Sequence, residues 1–160
     1  MPIKLFVAKD QTPGERRVAM SPPVAAKLRA LGVELLLQPG AGEQAGFPDA
    51  LFGPSTLLEP PEAIPQADVV FRITPPPVAN IPRMRQGSVL VSFLQPHREP
   101  ERFKALRDAK VTSFAMELVP RISRAQAMDA LSSQAAAAGY KAALLAAEKL
   151  GRFFPMLTTA

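Results

Sequence analysis

The sequence predicts an α/β protein: an open, mostly parallel, five-stranded sheet of flavodoxin-like type with helices on both faces, followed by a long C-terminal connecting helix. Three observations predict it. Short apolar runs recur along the chain and alternate with helix signals, a pattern that favours parallel strands joined by right-handed crossovers. The chain opens strand–helix–strand. Its 160 residues are 48% apolar and 21% charged, enough for one domain with a real core.

Ile3–Ala8 is the first buried strand and Lys9–Glu15 its loop. In the following GERRVAMSP, Arg17 stands between a charged loop and apolar Val18–Met20, and by type it reads as a surface arginine. Ser21 suits the cap of a helix over 22–31, with Pro22 and Pro23 in the first turn and Gly32 at the end. Val24, Leu28 and Leu31 are its expected buried face. Val33–Gln38 is the second strand. In PGAGEQAGF, Gly40, Gly42 and Gly46 are spaced G-x-G-x-x-x-G, one residue off the dinucleotide-binding pattern, so the segment reads as a turn.

Residues 53–67 are expected to be a proline-rich connection with one helical turn at Pro61–Gln66. Asp68–Ile73 is the third strand, ended by Thr74 and Pro75-Pro76-Pro77. A short helix over 78–86 closes at Gly87. Val89–Phe93 is the fourth strand. A helix over 98–108 turns Phe103 and Leu106 to the core, and Val111–Met116 is the fifth strand. The expected strand order is 2-1-3-4-5. Ligands of such sheets gather beyond the carboxyl ends of the strands. Arg17, Thr74, Gln95 and Arg121 all fall there and are expected to line one crevice.

The stretch Val119–Tyr140, VPRISRAQAMDALSSQAAAAGY, is denser in polar groups than a packed core would be. Ser123 with Gln126 three residues later fits a capping box, which predicts a helix starting near Arg124 and running over about 125–150. On that helix Gln126, Asp129 and Ser132 recur every third position and drift over about 120° of one side. Met128, Leu131, Ala135, Ala138, Ala142 and Leu145 form a separate apolar stripe. Gly139 in mid-helix costs about 1 kcal/mol against alanine, which hints at close packing. The residues leave two readings of the polar cluster. One is a solvated first turn with its cap. The other is a site for a flat polar ligand, such as a carboxamide, that needs donors and acceptors together.

Composition excludes several classes. There is no cysteine and one histidine, so neither a disulfide framework nor a thiolate metal site exists, and a histidine-based triad has little material. The formal charge of +5 is modest, and basic residues show no aromatic interleaving, which argues against nucleic-acid binding. No apolar run approaches the roughly 18 residues of a membrane span, and MPIKLFVAKD has no signal-peptide layout. The 18 prolines fall in clusters and read as rigid punctuation.

The run PRISRAQAMDALSSQAAAAGYKA resembles the signature segment of the NAD(H)-binding component, or alpha subunit, of proton-translocating NAD(P) transhydrogenase. The resemblance extends over the whole chain and implies that this segment borders the nicotinamide of NAD(H). It suggests Arg121, Gln126, Asp129 and Ser132 as cofactor-binding residues, with Gln126 on the dihydronicotinamide and the others holding its carboxamide and the loop; it assigns no catalytic residue and no metal ligand. ERRVAMSP, GAGEQAGF and VLVSFLQP are also similar to alanine dehydrogenase. That enzyme keeps an arginine at the position of Arg17 for the substrate carboxylate, with a lysine and a histidine where this chain has Thr74 and Gln95. Neither replacement shuttles protons near neutral pH, and His97 lies two residues too late. Hydride passage between nicotinamide rings, which needs orientation and exclusion of water, then fits better.

The glycine-rich fingerprint that anchors a dinucleotide pyrophosphate is not in these residues. In the transhydrogenase family it follows soon after the position of Ala160. The resemblance therefore implies an α/β domain over 1–124 and a linker helix and tail over 125–160 that lead to a nucleotide-binding domain outside this chain. The implied partners are that second domain, the NADP(H)-binding component and the membrane subunits, with a homodimer contact aided by the apolar length at 144–157. The implied location is cytoplasmic, peripheral to the inner membrane, and the fragment alone is expected to bind NAD(H) weakly or not at all. An alanine dehydrogenase-like fragment and a non-catalytic assembly module are the alternatives.

Overall fold

The computed structural model describes residues 2–152; the apolar tail from Phe153 onward, and with it part of the 144–157 segment expected to self-associate, lies outside the described residues. By its internal contacts the chain divides into a first unit ending at Met116 and a second beginning at Glu117.

The first unit is a parallel sheet of six strands: β1 (Lys4–Val7), β2 (Glu34–Leu37), β3 (Thr56–Leu57), β4 (Val69–Phe71), β5 (Val89–Ser92) and β6 (Thr112–Ala115), in the order β3-β2-β1-β4-β5-β6. The five expected strands are present in the expected order. The correction is β3, an added edge strand inside the segment read as connection. It pairs only with β2, through Leu36 with Thr56 and Leu37 with Leu57, and both of its residues are exposed.

Side chains alternate between two cores, as the two-residue period requires. Phe6, Leu36, Val70 and Leu90 stand in register across the sheet and enter one core. It is closed by α2 (Pro60–Ala63) and α3 (Pro100–Asp108) and by the 3₁₀ turn Val78–Arg83. Leu5, Val7, Leu35 and Leu37 enter the other core, with Ala25 of α1 (Pro22–Ala30) and Phe52. Burial on both faces is why these parallel strands read as nearly unbroken apolar runs. Phe103 and Leu106 of α3 face the core as expected.

Two local expectations are corrected. Ser21 occupies the N-cap of α1, but its hydroxyl makes no capping bond; its carbonyl accepts from Ala25 N–H at 3.0 Å. The α1 core contact is made by Ala25 and Leu28, while Val24 and Leu31 are exposed. Leu31 is already the C-cap, before Gly32 turns the chain at φ +84°. The expected helix over 78–86 is a 3₁₀ turn that stops at Arg83.

In the second unit the long helix, α4, runs Ala130–Lys149. It starts later than expected. Ser123–Met128 is a separate 3₁₀ turn, and the N-cap is Asp129, whose carboxylate accepts from Ser132 N–H at 2.9 Å and from Ser132 Oγ at 2.5 Å. The Ser123–Gln126 capping box therefore does not form. The carboxylate takes both Ser132 donors, one of them an otherwise unpaired first-turn amide, and its charge favours the positive end of the helix. No residue of α4 is buried. A Cβ at Gly139 would meet nothing within 4 Å, so no contact among the described residues requires that glycine.

Candidate functional site

The carboxyl edge of the sheet carries the polar loops. Beyond β1, Asp10 holds the edge together: it accepts from Thr74 N–H at 2.8 Å, Thr74 Oγ1 at 2.7 Å and Thr12 N–H at 2.9 Å. Partial burial opposes its ionisation, but these hydrogen bonds outweigh that and set its pKa below the ordinary 3.8. Thr74 is thus a structural partner of Asp10. Beyond β5, Gln95 sits at φ +50° and its Oε1 accepts from Arg98 at 3.5 Å.

Arg102 ties these loops from beneath. It is 6% exposed and donates to the carbonyls of Pro76 and Leu94, both at 3.4 Å, and to Glu99 at 2.6 Å. One guanidinium on α3 so pins the segments after β4 and β5 that carry Thr74 and Gln95. Neither Asp10 nor Arg102 stands out in the sequence. Asp10 looks like one more loop acid, and Arg102 lies in a charged helical run where only Phe103 and Leu106 signal a buried face.

Arg17 is held by Glu15, to which its Nε donates at 2.8 Å and its Nη2 at 2.6 Å, and its guanidinium carbon lies 5.8 Å from the Phe93 ring centroid. The Arg17 hydrogen bonds keep the Glu15 carboxyl below its ordinary pKa. Arg17, Thr74 and Gln95 share the carboxyl edge of the first unit. Arg121 belongs to the second unit and is described with it.

The run Gly40–Gly46 forms a turn. Gly40 N–H donates to both carboxylate oxygens of Asp49, at 2.9 and 3.1 Å. A Cβ on Gly42 would stand 2.5 Å from the Phe47 carbonyl and 2.8 Å from the Phe52 ring. The glycine here serves close packing, and the three-residue 3₁₀ turn after it has no helix N-terminus for a pyrophosphate.

In the second unit, the structure puts Gln126 in the 3₁₀ turn, Asp129 at the cap and Ser132 in the first turn of α4. Only Ser132 of the three lies within the α-helix, so the expected helical drift of all three around one axis is replaced by a turn-plus-cap arrangement. Ser132 and Asp129 are bonded to each other, and Asp129 N–H donates to the Gln126 carbonyl at 3.3 Å. The Asp129 carboxyl is held below its ordinary 3.8, first by the Ser132 hydroxyl and amide and then, beyond a small opposing desolvation, by the nearby charge of Arg121. Arg121, Gln126 and Ser132 are exposed. Asp129→Ala is expected to fray the first turn of α4; amide exchange at Leu131–Ser133 should quicken while the first unit is unchanged, and equal protection in both proteins would contradict the cap.

Among the described residues no group of three histidine, cysteine, aspartate or glutamate side chains is placed to hold a metal ion, and no helix is long and apolar enough to cross a membrane.

These features define a class: a doubly wound parallel α/β domain with its polar loops at the carboxyl ends of the strands, followed by a unit that begins in a polar turn and a long helix. The chain belongs to the alanine dehydrogenase/PNT family through that family's N-terminal domain, which matches residues 6–138. It is 39% identical, over 99% of its length, to the NAD(P) transhydrogenase subunit alpha of Cereibacter sphaeroides and covers 31% of that protein. Alanine dehydrogenase of Bacillus subtilis is more distant, at 30% identity over 90% of this chain and 38% of the enzyme. Among solved structures, the transhydrogenase of Sinorhizobium meliloti superposes with a TM-score of 0.88 at 38% identity, over 98% of this chain and 48% of that one. The transhydrogenase relatives carry the name of an oxidoreductase, and the chain spans less than half the length of each of these proteins.

Proposed function

We propose that this chain is the first domain and connecting helix of the NAD(H)-binding component of a proton-translocating transhydrogenase, and that Arg121, Gln126, Asp129 and Ser132 border the nicotinamide ring. The observation that carries the reading is the head of α4, where an ionised carboxylate, a hydroxyl, a neighbouring guanidinium charge and an exposed amide occur within one turn-plus-cap segment. These donors fit a carboxamide: the Gln126 side chain can donate and accept, Asp129 accepts, and Arg121 donates. NAD(H), when bound, supplies the hydride that is passed on. The chain's own part is to orient the ring, with Ser132 fixing the Asp129 carboxylate and so the acceptor direction, and to limit the access of water. None of the four needs to move a proton.

The pyrophosphate anchor belongs to a second domain, in keeping with the turn formed by Gly40–Gly46. Association with the NADP(H)-binding component and with membrane subunits would place the protein at the cytoplasmic face of the inner membrane, and the uncovered apolar side chains of α4, Leu131, Leu144 and Leu145, suit a homodimer contact. The alanine dehydrogenase alternative is disfavoured because Thr74 is committed to Asp10 and Glu15 already occupies the Arg17 fork. In a complex reassembled with the nucleotide-binding domain and the NADP(H) component, Gln126→Leu is expected to slow hydride transfer about a hundredfold, the scale of a misplaced reactant. An unchanged rate, or NADH formed from alanine by the wild-type complex, would overturn the proposal.

A further inference from the structure

A polar hollow lies on the α2 side of the sheet, beyond the carboxyl ends of β1, β2 and β4. It has a volume of about 300 Å³, and Lys9, Gln38, Glu59, Arg72, Asn80 and Arg83 line it together with proline rings. Three cations line it, and two carboxylates stand near them: Glu59 in the wall, and Glu43, whose Oε2 shares the neighbourhood of Gly40 with the Lys9 ammonium. Arg72 spends only its Nε, on the Thr74 carbonyl at 3.2 Å. Its two terminal nitrogens, the Lys9 ammonium and the Arg83 guanidinium meet no hydrogen-bond or ion-pair partner among the described residues. Burial disfavours the Arg72 charge and only the more distant Asp10 carboxylate supports it, while Asp10 itself is committed to Thr74 and Thr12. The single carboxylate in the wall, Glu59, accepts from Gln38 Nε2 at 3.3 Å through one oxygen, which leaves the other for a hydroxyl.

Three positive groups against two carboxylates leave one positive charge in excess, which favours an anion such as a phosphate monoester, with about −1.5 to −2 at pH 7. The guanidinium forks of Arg72 and Arg83 suit its oxygens, and Lys9 adds a point charge. We infer that this hollow binds a small, hydroxyl-bearing phosphate, the phosphate seated among Lys9, Arg72 and Arg83 and a hydroxyl received by Glu59. The site lies wholly in the first unit and does not depend on the ring-proximal residues of the second.

The test is calorimetric titration of the 160-residue chain at constant ionic strength with ribose 5-phosphate, inorganic phosphate, ribose and sulfate. Saturable one-to-one binding of ribose 5-phosphate and none of ribose is expected. Inorganic phosphate is expected to bind more weakly than ribose 5-phosphate; equal binding of the two would overturn the assignment of an ester whose hydroxyl Glu59 receives. Arg83→Gln, at an exposed position that should leave the fold intact by circular dichroism, and Lys9→Gln are each expected to weaken binding about tenfold, the scale of one lost charge-assisted hydrogen bond. Absence of saturable binding, sulfate binding as tightly as either phosphate, or affinity unmoved by both substitutions would overturn the inference.

Discussion

Phe6→Ala is expected to destabilise the first unit by about 3–5 kcal/mol, the range for removing a fully buried phenylalanine. Phe6 has no exposed surface and pairs in register with Leu36 on β2 and Val70 on β4, so its ring sits at the centre of the sheet where β1 joins both halves. Neighbours on both sides are fixed by ladder hydrogen bonds and cannot easily close the space. A domain of this size holds about 5–15 kcal/mol in all, so a loss of that size takes much of the margin. Urea unfolding followed by circular dichroism should show a large fall in midpoint, and a loss below about 1 kcal/mol would mean the ring is not in the core described.

The second large effect concerns Asp10 and acid. In the folded chain its carboxyl lies below its ordinary 3.8 because Thr74 and Thr12 donate to the charged form. A depressed pKa contributes stability that is fully present above the unfolded value and is lost as pH falls through the folded one. Stability should therefore hold down to about pH 4 and decline below it, and Asp10→Asn should flatten that part of the decline. At neutral pH, Asp10→Ala is expected to cost about 2 kcal/mol: several hydrogen bonds to a charged group are lost, discounted because the carboxylate is partly solvated. It should also loosen the Thr74 loop, visible as faster amide exchange at Thr74. If wild type and Asp10→Asn lose stability in parallel through acid, the network assigned to Asp10 is wrong.

The sheet was legible because β1, β2, β4 and β5 are short apolar runs between turn signals, while β6, half polar and with no buried residue, was found from the apolar residues Val111 and Phe114–Met116 in and around it. β3 was not, because two exposed residues, Thr56 and Leu57, show no period and form a strand only by lying against β2. A simple count of apolar positions misplaces the α1 face: small Ala25 packs closely, while Leu31 falls on the exposed cap. At the head of α4 the capping box read from Ser123 and Gln126 does not form, and Asp129, read as a residue on the helix side, is the cap. Its carboxylate collects two donors from Ser132 at once. Asp10 and Arg102, which tie the carboxyl-edge loops, leave no sequence signal, since their roles arise from segments brought together by the sheet. Family resemblance, not periodicity, nominates Arg121, Gln126, Asp129 and Ser132 as ring-proximal; periodicity alone puts three of them on a helix that the structure begins at Ala130.

The most direct measurement is a titration of NADH into the 160-residue chain by calorimetry, repeated after the nucleotide-binding domain is added. If the head of α4 borders the ring while another domain anchors the pyrophosphate, the chain alone gives no saturable heat in the micromolar range and the mixture does. Micromolar binding by the chain alone, unaffected by Gln126→Leu, would contradict that division of labour.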